Sequence, residues 1–531
     1  MDISNNSLVD PNDLIEEEKE IIPIELWESQ VPHYLRLCEI MKTWIAFLDT
    51  SPMGAGKTIT TLALCATFKL NLVVVGPLST LSMWEEMSKL YGINIKLTLS
   101  YQKLAGTKIK GCAHPLLYRD GDTYSATEFL RNLIREGTLF IFDESHTLRN
   151  EDTAQLHAAH HIVKTVKSMN CGSRIGLLSA TPGDKKDHVA SILKMLGIIT
   201  NEKLYDYNHK TKVYILLGMN QLYDYCKTID NQTANAIIIP TTRFTANQMC
   251  YDLFIGIVKL QLVSSMEKPT ITAIKDGMNG YYDMPSQDVD TIRQAEASLK
   301  KATSFNEETG TVDIRNVSWG AIVKAQQSLE RGKLRTMIRL VTETLNNNPN
   351  SKVILYVWFL ESIEYLRENL RQYNPLVMFG KTKKDERTNI RNLFQQDDLN
   401  HRLLISNAKV GGIGISLDDR SGTKPRFMFM IPTYNFIDLH QATGRIHRGT
   451  TKSNATIRFI YSKAFRGEVS ILKAIAKKTE ITKSILYNSN NIVFPGDYDS
   501  HIENEGIIPN PNKINNQINN LGQQLNNYLN I

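Results

Sequence analysis

Short apolar runs, each closed by a polar or glycine-rich turn and several followed by helix-spaced segments, recur along the first third of the chain. The apolar runs within residues 44–49, 71–80, 139–146 and 173–182 are continuous rather than alternating. Runs of that kind predict strands covered on both faces, as in a parallel sheet flanked by helices. A further run, Leu97-Thr-Leu-Ser100, predicts a strand that ends in a polar turn, and 59–68 carries its apolar residues at helical spacing. The alternation lapses over 200–330. Helical patches such as 248–262 give way there to a polar, irregular stretch over 264–318, which reads as an insertion or connection. It resumes from Gly332, with strands predicted over 353–359, 377–380, 402–407 and 427–431 and helices over 363–370 and up to Phe394. The pattern predicts an α/β protein in five parts. These are an acidic mobile tail (1–20), a first unit (21–199), a helical or irregular insertion (200–330), a second unit (331–487) and an Asn-rich tail (488–531). Within that last tail Ile514, Ile518, Leu521, Leu525 and either Tyr528 or Leu529 keep a four-three spacing, which suits either a short docking helix or a disordered segment.

Composition narrows the classes more than it names one. A chain of 531 residues with 42% hydrophobic and 22% charged residues can build several buried cores. The net charge of +6 is compatible with a nucleic-acid partner without requiring one. Six cysteines are scattered with no C-x-x-C pair, which argues against a zinc site or disulfide framework and for a reducing compartment. No apolar run approaches 18 residues, so no membrane span is expected.

Candidate chemistry lies at the ends of the predicted strands. Ser51-Pro-Met-Gly-Ala-Gly-Lys-Thr58 joins strand to helix and carries the features of a phosphate-binding loop, with Ser51 where the general pattern has its first glycine. Gly54 and Gly56 would let backbone N–H groups approach phosphate, Lys57 would reach the β- and γ-phosphates, and the Thr58 hydroxyl would hold Mg²⁺. Asp143 and Glu144 end a buried strand; the first would position Mg²⁺ and the second polarise an attacking water. His146 could relay between nucleotide and polynucleotide sites, and Ser179 and Thr181 could link hydrolysis to domain movement. The amide of Gln30 can donate and accept at once, which suits an adenine edge. Ser79 and Thr80 suit either phosphodiester contact or a helix cap. Ser100 and Tyr101 follow another strand, and Gly411 and Gly412 lie in a glycine-rich loop able to approach a phosphate chain. In Gln441-Ala-Thr-Gly-Arg-Ile-His-Arg448, helical spacing would put Gln441, Gly444, Arg445 and Arg448 on one face, the arginines serving a nucleotide held elsewhere.

In order and spacing these segments resemble superfamily-two helicases and translocases of the DEAH/DExH type over about 26–480. The Swi/Snf-like branch, which supplies chromatin remodellers and the transcription ATPases of large DNA viruses, is the most similar. Residues 26–30 resemble its Q motif, 53–58 its Met-Gly-x-Gly-Lys-Thr, 72–84 motif Ia, 143–150 motif II, 179–182 motif III, 411–417 motif V and 441–448 motif VI. Residues 244–251 resemble a segment that sets a Gln and a Tyr on one helix, and Gly332-Lys-Leu334 the opening of the second lobe. The resemblance implies two RecA-like lobes with ATP and Mg²⁺ in the cleft between them. Met53 and Ala55 then join Gln30, Gly54, Gly56, Lys57 and Thr58 around the nucleotide, and Gln441, Arg445 and Arg448 join Asp143 and Glu144 in hydrolysis. It implies a nucleic-acid partner gripped mainly through its backbone, DNA rather than RNA, and, for a viral member, the cytoplasm or nucleus of a host cell or packaging in the virion. Two departures stand out. Gly183-Asp184 replaces the Gln-Asn pair after motif III, and Gly444 stands where remodellers usually carry Asp.

Overall fold

Two predominantly parallel sheets form the framework of the chain. A computed structural model describes residues 24–106, 114–208, 210, 213–237, 243–267, 271–306, 311–314, 319–407, 416–463, 468–490, 492–503 and 507–508. The first sheet contains β1 (Ala46–Asp49), β2 (Asn71–Gly76), β3 (Ile95–Ser100), β4 (Thr138–Asp143), β5 (Arg174–Leu178) and β6 (Val263–Ser264). Its order is β6-β1-β5-β4-β2-β3, parallel throughout. β1 and β4 are buried along their whole length, as their unbroken apolar runs require of strands with helices on both faces. Helices α1 (Val31–Thr43), α2 (Lys57–Phe68) and α3 (Leu78–Leu90) belong to this lobe.

The second sheet contains β7 (Lys275–Tyr282), β8 (Lys352–Val357), β9 (Leu376–Met378), β10 (Leu403–Asn407), β11 (Arg426–Met430), β12 (Ala455–Ser462), β13 (Asp499–Ile502) and β14 (Ile507–Ile508). Its order is β9-β10-β8-β11-β12-β7-β13-β14, parallel except for the last pair. Helices α4 (Phe436–Thr443) and α5 (Glu468–Ile485) complete the parts used below. These are two RecA-like lobes, as the motif series implies.

Segment 200–330, expected between the lobes, is divided between their cores. Met219, Leu222, Cys250, Phe254 and Leu262 pack into the first core, and β6 extends its sheet. β7 instead lies inside the second sheet, between β12 and β13. Lys275-Asp-Gly-Met-Asn-Gly-Tyr-Tyr282 is too polar and glycine-rich to read as a strand, and packing explains its glycines. A Cβ on Gly277 would lie 2.3 Å from the Tyr498 ring, and one on Gly280 would lie 2.4 Å from the Tyr282 hydroxyl. The Asn-rich tail likewise begins in ordered structure. Phe494, Tyr498 and Ile502 enter the second core before the described residues end. The candidate docking helix at 514–529 and the tail at 1–20 lie outside the described residues.

Helix α5 straddles both lobes. Ile471, Leu472 and Ile475 belong to the second core, whereas Ile481 and Ile485 belong to the first. Its first residue, Glu468, is fully buried, pairs with the equally buried Lys333 and accepts from the Ser462 backbone N–H. Removing either partner would leave an uncompensated buried charge, so the lysine of Gly332-Lys-Leu334 anchors the start of α5.

Candidate active site

The loop between β1 and α2 is shaped by its glycines and by Gln30. Gly54 and Gly56 sit at φ +81° and +98°, a region L side chains rarely adopt. A Cβ on Gly56 would fall 2.2 Å from Gln30 Nε2, so the loop closes against that amide. Gln30 is buried; its Nε2 donates to the Ala55 carbonyl at 2.9 Å and its Oε1 accepts from the Trp27 N–H at 2.9 Å. Both ends of the amide are engaged by protein, and Gln30 braces the loop. Lys57 Nζ donates to the carbonyls of Ser51 (2.9 Å) and Pro52 (3.1 Å), which holds the ammonium over the turn. Thr58 is half-buried at the start of α2, where helix N–H groups and the helix dipole favour an anion.

Asp143 and Glu144 stand at the end of β4. The Asp143 carboxylate accepts from Trp84 Nε1 at 3.1 Å and from the Glu144 N–H at 3.0 Å, and the Thr80 hydroxyl also bonds it. Tyr101 is buried, and its hydroxyl donates to the Asp143 carbonyl at 2.8 Å. Thr80 and Tyr101, expected on a polynucleotide, therefore support the carboxylate strand instead, and the half-buried Thr80 also donates to the Pro77 carbonyl. Ser100 is a buried helix cap that accepts from the Lys103 N–H, whereas Ser79 is exposed on the first turn of α3. Gly411 and Gly412 lie outside the described residues.

Glu144 adopts φ +50°, a conformation that costs a non-glycine residue of order 1 kcal/mol or more and that clusters at functional sites. Burial raises the Asp143 carboxyl above its ordinary value, with the adjacent Glu144 adding to the effect. Burial would raise Glu144 too, but His146, Lys57 and Arg445 outweigh it and hold that carboxyl low. Two adjacent carboxylates at one strand end are oxygen donors of the kind that can hold a divalent cation.

His146 joins the two lobes. Its Nδ1 lies 3.3 Å from Glu144 Oε2 and 3.4 Å from Ser179 Oγ, and its Nε2 lies 3.3 Å from Gln441 Nε2 of the second lobe. Ser179 Oγ also accepts from the Thr181 N–H at 3.2 Å. The residues expected to couple the sites are thus brought together, with Thr181 entering through its backbone.

The second lobe supplies the arginines, though not from a helix face. α4 ends at Thr443, and Arg445 and Arg448 lie in the irregular turn beyond it, which corrects the helical-face expectation. Gly444 makes that turn fit, because a Cβ there would fall 2.4 Å from Met53 Cε. Met53 thus packs against the second lobe, and Ala55 contributes its carbonyl to Gln30. A Cβ on Gly54 would come within 4.0 Å of Arg448 Cβ, so that arginine overlies the phosphate-type loop. Burial and the charge of Arg448 push the Arg445 guanidinium down to about 9, with Glu144 opposing. Burial likewise lowers Arg448, with Asp418 opposing. Two guanidiniums this deeply placed above a glycine turn that a Cβ would fill are a donor set fitted to a polyanion such as a triphosphate.

Several cross-lobe residues were not read from the sequence. Asp184, in the departing Gly183-Asp184 pair, is buried against His188 at 3.2 Å and lies 3.5 Å from Lys478 of α5. Thr482 Oγ1 donates to the Gly183 carbonyl at 2.9 Å, and Tyr251 OH pairs with Ser484 Oγ at 2.6 Å. Gln248 and Tyr251 do share one helix, Arg243–Leu253, and Gln248 accepts from Lys186 Nζ at 2.8 Å. No motif marks Lys478, Thr482 or Ser484; only the path of α5 brings them to the first lobe.

Two RecA-like lobes thus meet across a glycine turn, paired carboxylates and two arginines. Residues 332–450 match the model of the helicase conserved C-terminal domain. Over 508 residues the chain is 24% identical to a candidate ATP-dependent RNA helicase of Acanthamoeba polyphaga mimivirus, covering 90% of this chain and 88% of the relative. It is 26% identical over 160 residues to the DNA repair protein RAD5 of Candida albicans, covering 29% of this chain and 14% of that one. It is 29% identical over 125 residues to a candidate global transactivator of Orgyia pseudotsugata multicapsid polyhedrosis virus, covering 23% and 24%. Among solved structures, the SWI2/SNF2 ATPase core of Sulfolobus solfataricus in complex with dsDNA aligns over 88% of this chain and 98% of that one, at 15% identity and a TM-score of 0.29. These likenesses support a superfamily-two helicase of the Swi/Snf-like branch, similar to those of large DNA viruses. Among the described residues no helix is long and apolar enough to cross a membrane.

Proposed function

We propose that the chain is an ATP-driven nucleic-acid helicase or translocase, with DNA as its track. The observation that carries this reading is the composite site. Lys57, Asp143 and Glu144 come from one lobe, Gln441, Arg445 and Arg448 from the other, and His146 touches residues of both. Such a site is complete only when the lobes are together, so each cycle of binding and hydrolysis can close and reopen the cleft. Gly54, Gly56 and Lys57 bind phosphate oxygens, and Thr58 and Asp143 would hold Mg²⁺, which when bound neutralises phosphate charge. Glu144 accepts a hydrogen bond from the attacking water and orients it. Arg445 and Arg448 stabilise charge that grows in the transition state. The name of the mimivirus relative points to RNA and that of the Candida relative to DNA repair; the branch as a whole favours DNA. Steady-state ATP turnover, with and without polynucleotide, tests the reading.

Two outcomes are expected. Gln441→Ala removes the cross-lobe partner of His146 and should reduce the stimulation of turnover by nucleic acid about tenfold, a typical coupling magnitude. Nucleotide binding, read by fluorescence titration, should change much less. Loss of ATP affinity with stimulation intact would place Gln441 in ground-state binding instead. Polynucleotide affinity should also fall steeply with salt and vary little with sequence, because neutralised phosphates release counterions. A flat salt response with strong sequence preference in a fluorescence-anisotropy series would indicate base-edge readout.

A further inference from the structure

The entry to the phosphate-type loop is held by a buried cluster that the reading above does not use. His33 of α1 lies with Nε2 3.2 Å from Asp49 Oδ2 and Nδ1 2.8 Å from Ser264 Oγ. Asp49 ends β1, and its Oδ1 accepts from the Ser51 N–H at 2.8 Å. Ser264 ends β6, and its carbonyl accepts from the Thr50 N–H at 2.9 Å and from the Thr50 hydroxyl at 3.2 Å. Ser51, standing where the general loop pattern has glycine, accepts from the Met266 N–H through its hydroxyl at 2.8 Å and from Lys57 Nζ through its carbonyl. Met266 lies on the segment that leads from β6 to β7, the first strand of the second lobe.

Aspartate, histidine and serine in this order suggest a hydrolytic triad. Burial decides against it, since Asp49 and Ser264 are each 1% exposed and His33 is 3% exposed, leaving no path for a substrate. The cluster instead fastens three pieces of chain together: α1, the mouth of the loop and the strand that leaves for the other lobe. Burial alone would raise the Asp49 carboxyl, but His33, Lys57 and the Ser51 contact outweigh it and hold it below its ordinary value. The lysine charge is therefore already part of this network.

We propose that His33 is a positioning residue for the nucleotide loop. By holding Asp49 on one ring nitrogen and Ser264 on the other, it sets the loop entry and the crossing segment as one unit. The loop's fit to phosphate and the approach of the second lobe are thereby linked. The inference rests on the ATP-driven reading above.

The test uses the purified full chain and measures KM and kcat for ATP, with and without DNA, beside thermal melting. His33→Ala should raise KM for ATP about tenfold, the loss expected when a charge-assisted contact that shapes a binding loop is removed. His33→Gln, which can still reach Asp49, should recover part of that loss. Ser264→Ala deletes a single hydroxyl and should raise KM in the same direction; it carries the test if His33→Ala does not fold. A purely structural cluster would lower melting temperature and yield while leaving KM per folded molecule unchanged. Folded Ser264→Ala and His33→Gln variants with wild-type KM and wild-type stimulation by DNA would overturn the inference alone. A wild-type chain that neither binds nor hydrolyses ATP would overturn the reading beneath it as well.

Discussion

Arg448→Ala is expected to lower ATP turnover about 10³-fold or more, as loss of an arginine finger does, while ATP affinity falls far less. The expectation follows from where the residue sits. Arg448 overlies Gly54 from the opposite lobe, and its guanidinium is largely buried beside Arg445. Two like charges in one buried cleft repel, with Glu144 and Asp418 opposing, and their stabilising effect is greatest when the transferring phosphate gains charge. Most ground-state contacts to phosphate would come from the first lobe, through Gly54, Gly56 and Lys57, which is why affinity should survive. Arg445→Ala belongs in the same experiment, because Arg445, like Arg448, is electrostatically linked to Glu144. Single-turnover rates beside equilibrium titration of ATP separate the two quantities. Equal losses of rate and affinity in both variants would indicate ordinary binding rather than transition-state stabilisation.

Glu144→Gln should slow hydrolysis by roughly 10²- to 10⁴-fold, the range in which positioned acid–base groups act. The glutamine keeps the shape of the side chain and its contact with His146, but loses the charge that orients water. Asp143, braced by Trp84, Thr80 and the Glu144 N–H, should keep its place. The variant is therefore expected to bind ATP with Mg²⁺ and to accumulate in a nucleotide-bound, closed state. Filter binding of labelled ATP, followed by rapid quench, reads both properties. Near-normal turnover in this variant would remove Glu144 from the chemistry.

What could be read in advance was what depends on local pattern. β1, β2, β4 and β5 are continuous apolar runs because both their faces are covered, and the glycine turn and Asp143-Glu144 follow directly at strand ends. β6 has two residues, too few to show a period, and β7 breaks strand propensity with glycines that make room for Tyr498 and Tyr282. Both are strands because of the sheets they join. Gln30 and Tyr101 show the same limit at the level of single side chains. Each has polar chemistry suited to a ligand, yet distant chain, Ala55 and Asp143, takes up that chemistry in the fold. The turn after α4 misled for a geometric reason. The spacing from Gln441 to Arg448 fits a helix, but the helix stops at Thr443, where Gly444 packs under Met53. His33, Asp49 and Ser264 carried no signal at all, since the contact between His33 and Ser264 spans 231 positions.

In the proposed mechanism a cleft shared by two lobes couples ATP hydrolysis to a polynucleotide. Steady-state ATPase assays of the full chain, run in parallel with single-stranded DNA, duplex DNA and RNA, address it most directly. The account predicts low turnover alone and a rise of about tenfold or more with DNA, since polynucleotide bound across both lobes favours the closed site. Turnover that is absent throughout, or that no polynucleotide alters, would contradict it.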